Sequence, residues 1–347
     1  MDFKLPKNIK FNTAISNTTT MVDAIKCNLP SDIRHGSCMF DRIYSAGCYA
    51  NLSYALSKLH PKVEESNLHK DTLKLIRIHQ NTAIEVYDQT DNPTVGAVII
   101  PTDKDVVITF HGTNFERKDD HITNFEFKLV KSTYAPGLYH AGFLRLANNI
   151  IPEIVNVLQK QYGPLHLNTR PIRIYGHSMG SAIAQLVTQY LQHTYADINL
   201  ETIVFGSPKV MCPIAAKIYN QKNQDRTMRI ENPLDLAIYM PTQFMGYGVV
   251  NNVILLPTTY TDMARNHTIE GYLDSISTLR KQFRKQGIYS VSITDYITAT
   301  ARFNPLYPWM PYASTSQPSS SLSEFVYLMG HGLSKGIQKI IHALPFK

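Results

Sequence analysis

The chain has 347 residues, 44% hydrophobic and 18% charged, enough apolar side chain for a large core and too balanced for a disordered or fibrous protein. Its formal charge of +7 comes from Lys and Arg scattered along the sequence. Charge alone favours a lipid head-group surface or nucleic acid only weakly, a merely basic protein is the plainer reading, and no nucleic-acid partner is expected. Four cysteines, Cys27, Cys38, Cys48 and Cys212, lack the close spacing of a zinc or dithiol motif and read as free, buried thiols.

Residues 1–30 are rich in Asn, Thr and Lys without periodicity and read as an N-terminal arm. No signal-peptide pattern and no apolar run of about 18 residues occurs, so the expected location is cytoplasmic, with peripheral membrane contact or export by a route without such a signal as options. Over 41–59, Ile43, Ala46, Ala50, Leu52 and Leu56 recur at roughly helical spacing. Short β-branched runs at 82–88, 96–101, 105–110, 171–176, 201–206, 227–232 and 252–257 then alternate with helical stretches at 142–161, 181–193 and 213–221. Such alternation predicts an α/β class with a mainly parallel central sheet flanked by helices.

The domain is expected to end at 273, giving 31–273 as its span and 274–347 as a C-terminal extension. After Tyr272, Leu273, Ile276, Leu279 and Phe283 form an apolar stripe, with Arg280, Lys281, Arg284 and Lys285 on another side. After a Pro-rich stretch (303–312) and a Ser-rich linker (314–323), a second amphipathic run carries Phe325, Met329, Leu333, Ile337, Ile340, Ile341 and Leu344. Either helix would pack on the domain or lie on an anionic membrane surface.

Chemistry concentrates at Gly176-His177-Ser178-Met179-Gly180, between a strand and a helix of small residues. A turn that sharp leaves no room for side chains at its flanks, hence the two glycines, and it pushes the Ser178 hydroxyl out at a helix N-terminus. A serine hydroxyl needs a base, and the base needs a carboxylate, in the order Ser, acid, His. Asp235 lies just past the strand at 227–232, where strand ends face the nucleophile. Among its rivals, Asp225 precedes that strand, Glu231 is still within it, and Asp262 remains open. Downstream histidines are His267, His331 and His342. The last two fall on the amphipathic tail, whereas His267 sits in a loop before a helix expected near Tyr272. Phe110-His111-Gly112-Thr113 ends a strand where the second oxyanion donor belongs, so the backbone N–H groups of Thr113 and Met179 would face one site.

Five landmarks in order, FHGT (110–113), YHAGF (139–143), GHSMGSAIAQL (176–186), VFGSPKV (204–210) and RIENPLDLAIYMP through GYGVV (229–250), closed by NHTIEGYL (266–273), resemble the class 3 lipase family, which includes fungal triacylglycerol lipases. The resemblance implies an α/β-hydrolase fold with Ser178 as nucleophile, Asp235 as acid, His267 as base, and Thr113 and Met179 as oxyanion donors. The chain departs from the family at His111, Met179 and Ser181, usually Arg, Leu and Gly, and in a charged rather than apolar lid stretch at 114–124. The expected activity is hydrolysis of lipid acyl esters through an acyl-enzyme, with no metal or organic cofactor and a lipid or small ester as partner. The alternatives are an acyltransferase using the same triad, and a catalytically inactive lipid-binding or membrane-docking protein.

Overall fold

Strand-forming runs and amphipathic stretches take the places their patterns assign. The computed structural model describes residues 39–59, 68–90, 93–113, 126–165, 170–195, 197–223, 226–232, 234–250, 253–256 and 263–285. Nine strands run in chain order among them: β1 (Ile84–Tyr87), β2 (Gly96–Pro101), β3 (Val106–Phe110), β4 (Leu129–Lys131), β5 (Leu138–His140), β6 (Ile172–His177), β7 (Leu200–Phe205), β8 (Thr227–Glu231) and β9 (Val253–Leu255). The helices are α1 (Met39–Leu56), α2 (Lys70–His79), α3 (Ala141–Tyr162), α4 (Met179–Thr194), α5 (Pro213–Asn223), α6 (Met263–His267) and α7 (Ile269–Lys285).

Seven strands form one sheet in the order β1-β2-β3-β6-β7-β8-β9. β1, β2 and β3 pair antiparallel, whereas β3, β6, β7, β8 and β9 pair parallel. Each side of this sheet is hydrophobic, because alternate residues of a strand point to opposite faces. Val106, Ile108 and Phe110 of β3 face one core with Ile150 and Ile154 of α3 and Ala182 and Ile183 of α4. Val107 faces the other, with Phe40 and Ile43 of α1, Ile203 and Phe205 of β7, and Tyr272 and Leu273 of α7. With both faces covered, the strands are buried along nearly their whole length, as parallel sheets require.

The sequence reading misses α2 and the two-stranded β4–β5 ribbon, whose strands have three residues each. It also misplaces the domain boundary. Position 273 falls inside α7, which starts at Ile269 rather than near Tyr272. Leu273, Ile276 and Leu279 are fully buried against the sheet, each worth about 1.5–3 kcal/mol relative to exposure. Arg280 is occupied too, paired with Asp41 at 2.5 Å and stacked 4.3 Å over the Tyr44 ring. This stripe therefore belongs to the domain's core, not to a membrane face. The side chains from Phe283 to Lys285, the Pro-rich and Ser-rich stretches, the second amphipathic run and the arm at 1–30 lie outside the described residues. Cys48 and Cys212 are buried free thiols, and Cys27 and Cys38 fall outside the described part. No described helix is long and apolar enough to cross a membrane.

Candidate active site

β6 ends at His177 and α4 begins at Met179, so Ser178 alone must reverse the chain. It does so at φ 55° and ψ −125°, a conformation that costs a non-glycine residue about 1–3 kcal/mol and that no other non-glycine among the described residues approaches in sign of φ. The neighbouring glycines are obligatory. A Cβ on Gly176 would lie 2.4 Å from the Gly180 carbonyl oxygen, and one on Gly180 would lie 2.4 Å from that of His111. The bend is braced by the Ser178 N–H, which donates to Phe205 O at 3.0 Å, and by the Ser181 hydroxyl, 2.8 Å from both Gly176 O and Phe205 O. Ser181, unusual against the family pattern, thus adds a polar tie under the elbow.

Ser178 Oγ lies 2.8 Å from His267 Nε2, and His267 Nδ1 lies 2.8 Å from Asp235 Oδ1. His267 stands at the C-terminal end of the short helix α6 rather than in an open loop, and Thr268 alone separates it from α7. Asp235 follows β8 in a turn where its N–H donates to Asn232 O at 2.9 Å. Its Oδ1 also accepts from the Ala237 N–H at 2.9 Å, and its Oδ2 accepts from the Tyr272 hydroxyl at 2.7 Å. Asn232 donates through Nδ2 to Asn266 Oδ1 at 3.0 Å, which ties the acid's turn to the base's helix. The rival carboxylate Glu231 is turned away and held by Arg229 at 2.7 and 2.9 Å. Asp225, Asp262, His331 and His342 lie outside the described residues.

Burial alone would raise the Asp235 carboxyl, yet the His267 imidazolium and the hydrogen bonds from His267, Tyr272 and the Ala237 amide outweigh it and hold the group below its usual range. His267 moves the opposite way. Burial would lower it, but the Asp235 charge and hydrogen bond raise it above the ordinary imidazole value. The pair is therefore built so that the base gains a proton readily while the acid stays ionised. Asp235 is wholly buried, whereas the His267 side chain is 21% exposed.

The expected oxyanion donors lie on the two segments that flank Ser178. A Cβ on Gly112 would sit 2.9 Å from Ser178 Cβ, so the loop after β3 passes against the nucleophile and delivers the buried Thr113 next to it. Met179 is the first residue of α4. Its N–H has no acceptor within the helix by construction, and the helix N-terminus favours negative charge there. Sequence reasoning missed Tyr54, Tyr272, Asn232 and Gly206. Only Gly206 left a signal, as the glycine of VFGSPKV at a strand end. Its φ is +56°, and a Cβ there would lie 2.6 Å from Asp235 Oδ2. The charged stretch at 114–124 falls outside the described residues.

Comparison with known proteins bears on the fold and the family resemblance. Residues 107–245 match the family Lipase (class 3), a span that holds Thr113, Ser178 and Asp235 but stops short of His267. A secreted mono- and diacylglycerol lipase of Malassezia globosa is 23% identical over 151 residues, 43% of this chain and 49% of the relative. A chloroplastic phospholipase A(1) of Arabidopsis thaliana is 26% identical over 242 residues, 61% of this chain and 51% of the relative. The chain thus spans about half the length of the curated relatives it matches. Among solved structures, a lipase from Rhizopus microsporus var. chinensis superposes with a TM-score of 0.51 at 21% identity, covering 64% of this chain and 75% of that one, and so shares the fold. Residues 107–245, which carry the nucleophile and the acid, are thus similar to the class 3 lipase family, within a fold shared with a solved lipase.

Proposed function

We propose that the protein is a serine-dependent carboxylic ester hydrolase acting on lipid acyl esters, of lipase or phospholipase type. The observation that carries this reading is the unbroken relay from Ser178 Oγ through His267 to Asp235, with both links at 2.8 Å. Ser178 Oγ attacks the ester carbonyl while His267 Nε2 takes its proton, and Asp235 stabilises the imidazolium without accepting that proton. The carbonyl electrons move onto oxygen, facing the N–H groups of Met179 and Thr113. On collapse, His267 returns the proton to the departing alcohol and leaves an acyl-serine. Water, deprotonated by the same imidazole, then releases the fatty acid and regenerates the hydroxyl. The mono- and diacylglycerol lipase and phospholipase A(1) relatives support glycerolipid acyl esters as the substrate class.

The test is release of p-nitrophenol from esters of short and long acyl chains by wild type and Ser178→Ala. Activity in wild type and loss of all but a residual in the variant is expected, with the chain-length profile separating esterase from lipase. Equal rates in the two proteins would remove Ser178 from the chemistry.

A further inference from the structure

A second histidine stands beside the nucleophile, close enough to be mistaken for part of the proton relay. His177 is buried, the last residue of β6, and its ring centroid is 5.0 Å from that of His267. Its Nε2 lies 2.5 Å from the backbone carbonyl oxygen of His267. A carbonyl only accepts, so His177 carries its hydrogen on Nε2. Nδ1 is 2.6 Å from the Tyr54 hydroxyl, and that hydroxyl accepts in turn from the Gly112 N–H at 2.7 Å. All the donors then point one way. Gly112 N–H donates to Tyr54 Oη, Tyr54 O–H donates to His177 Nδ1, and His177 Nε2–H donates to the His267 carbonyl.

This path crosses the active site. It starts in the loop that delivers the oxyanion donor, passes through α1 and the end of β6, and finishes on the backbone of the base. Loops and short helices are the parts of a fold most free to drift, and catalysis suffers from displacements of about 1 Å. We propose that Tyr54 and His177 are positioning residues: a hydrogen-bonded bridge, locked in one tautomer, that fixes the oxyanion loop at Gly112 and the base His267 relative to each other on either side of Ser178. The proposal rests on the ester hydrolase reading of the same site.

The surroundings keep the bridge in that state while the base next to it changes charge. Burial chiefly, and then the charge His267 carries when protonated, push His177 down to about 3, against smaller opposing effects of the His267 carbonyl and Asp235. Tyr272 of α7 packs its ring 6.1 Å from that of His177, and burial raises its hydroxyl well above the ordinary value. Tyr54 is raised likewise, first by burial and further by Glu270 of α7. None of these neighbours supplies a proton that would turn the His177 ring over, so His177 does not compete with His267 as a base.

The experiment is a double-mutant cycle on the full chain with Tyr54→Phe, His177→Leu and their combination, with His177→Gln as the conservative variant. Rates are measured on p-nitrophenyl esters and normalised to protein folded by circular dichroism. Each single variant should lower kcat by about ten- to a hundredfold with little change in KM, since neither side chain binds substrate. The double variant should fall no further than the worse single one, because the two form a single chain of bonds, and His177→Gln should recover part of the loss. Unchanged kcat in folded His177→Leu, or fully multiplying effects, would overturn the bridge. The tautomer is read without activity: long-range 1H–15N spectra of wild type against His177→Gln should show one imidazole that keeps its Nε2–H form from pH 5 to 8. Titration of that ring within this range overturns the proposal even if the protein proves not to be an esterase, whereas an inactive wild type with the fixed ring removes only the functional reading.

Discussion

At the amino ends of the parallel strands, Asp105 just before β3, Arg173 of β6 and Glu201 of β7 lie side by side, with Arg42 reaching in from α1. Arg173 bonds Glu201 at 2.8 Å and Asp105 at 3.4 Å, and Arg42 bonds Glu201 as well. At the carboxyl ends the same sheet gathers Ser178, His267 and Asp235. Both clusters place charge where it is expensive, and both satisfy it with partners. They differ in the kind of cation. Arginine never gives up its proton in a protein, so the lower cluster has one charge state and can only hold layers together. Histidine changes charge near neutrality, so the upper cluster can move a proton. Position follows the same division, since open α/β sheets place their reactive groups at the carboxyl ends of the strands.

The sharpest test of this division removes the acid. Asp235→Asn should leave the fold intact and cut kcat by about 10³–10⁴-fold, because the neutral amide neither orients the imidazole nor stabilises it once charged. The pH profile should move as well. A base works only when neutral, so kcat/KM is lost as pH falls through the His267 pKa. Asp235 raises that pKa, and the acid limb of the residual activity should therefore shift to lower pH in the variant. A profile that stays in place would mean that Asp235 does not act on the base.

The reverse pattern is expected of Glu201→Gln. It leaves Arg42 and Arg173 short of a buried counter-charge, a loss of about 3–5 kcal/mol in folding, read from urea unfolding, while kcat per folded molecule stays at the wild-type value. Arg42 and Arg173 hold the Glu201 carboxyl below its usual value despite its burial. A depressed carboxylate contributes stability that is complete above its unfolded pKa and drains away as pH falls towards the folded one. Wild type should lose stability across that acidic interval, and the variant should lack that component. A catalytic defect without a stability defect would erase the distinction between the two ends.

The two ends also differ in how far the sequence discloses them. Ser178 is legible because its turn has a local rule, glycine on both sides of the nucleophile between strand and helix. Asp235 and His267 are reachable only through chain order and family resemblance, since nothing nearby distinguishes Asp235 from Glu231; the arginine that occupies Glu231 sits two residues away and shows itself only in three dimensions. Tyr54 and Tyr272 are not legible at all, being single tyrosines on helices far along the chain from what they touch. The misplaced boundary at 273 has a similar origin. An apolar stripe with basic residues beside it looks the same whether it faces lipid or sheet, and only the burial of Ile276 and Leu279 decides. Strands that lie within longer β-branched or apolar runs are read correctly, the three-residue β9 included, whereas β4 and β5 have no such run around them to show a period.

Gly206 tests the catalytic end from its scaffold rather than its chemistry. Its backbone sits at φ +56° with Asp235 Oδ2 2.6 Å, and His267 Nδ1 3.3 Å, from where a Cβ would stand. Alanine there meets two penalties, the left-handed conformation at about 1–2 kcal/mol and a methyl group driven against the acid. Gly206→Ala should therefore be destabilised by a few kcal/mol at most, less than Glu201→Gln. Unlike that variant, its folded fraction should also turn over more slowly, because the carboxylate has to swing away from His267. The backbone strain is a property of folding alone, so the slower turnover measures the displacement of the acid. If folded Gly206→Ala keeps the wild-type kcat, the turn after β7 yields without moving Asp235, and the glycine is there for the backbone and not for the site.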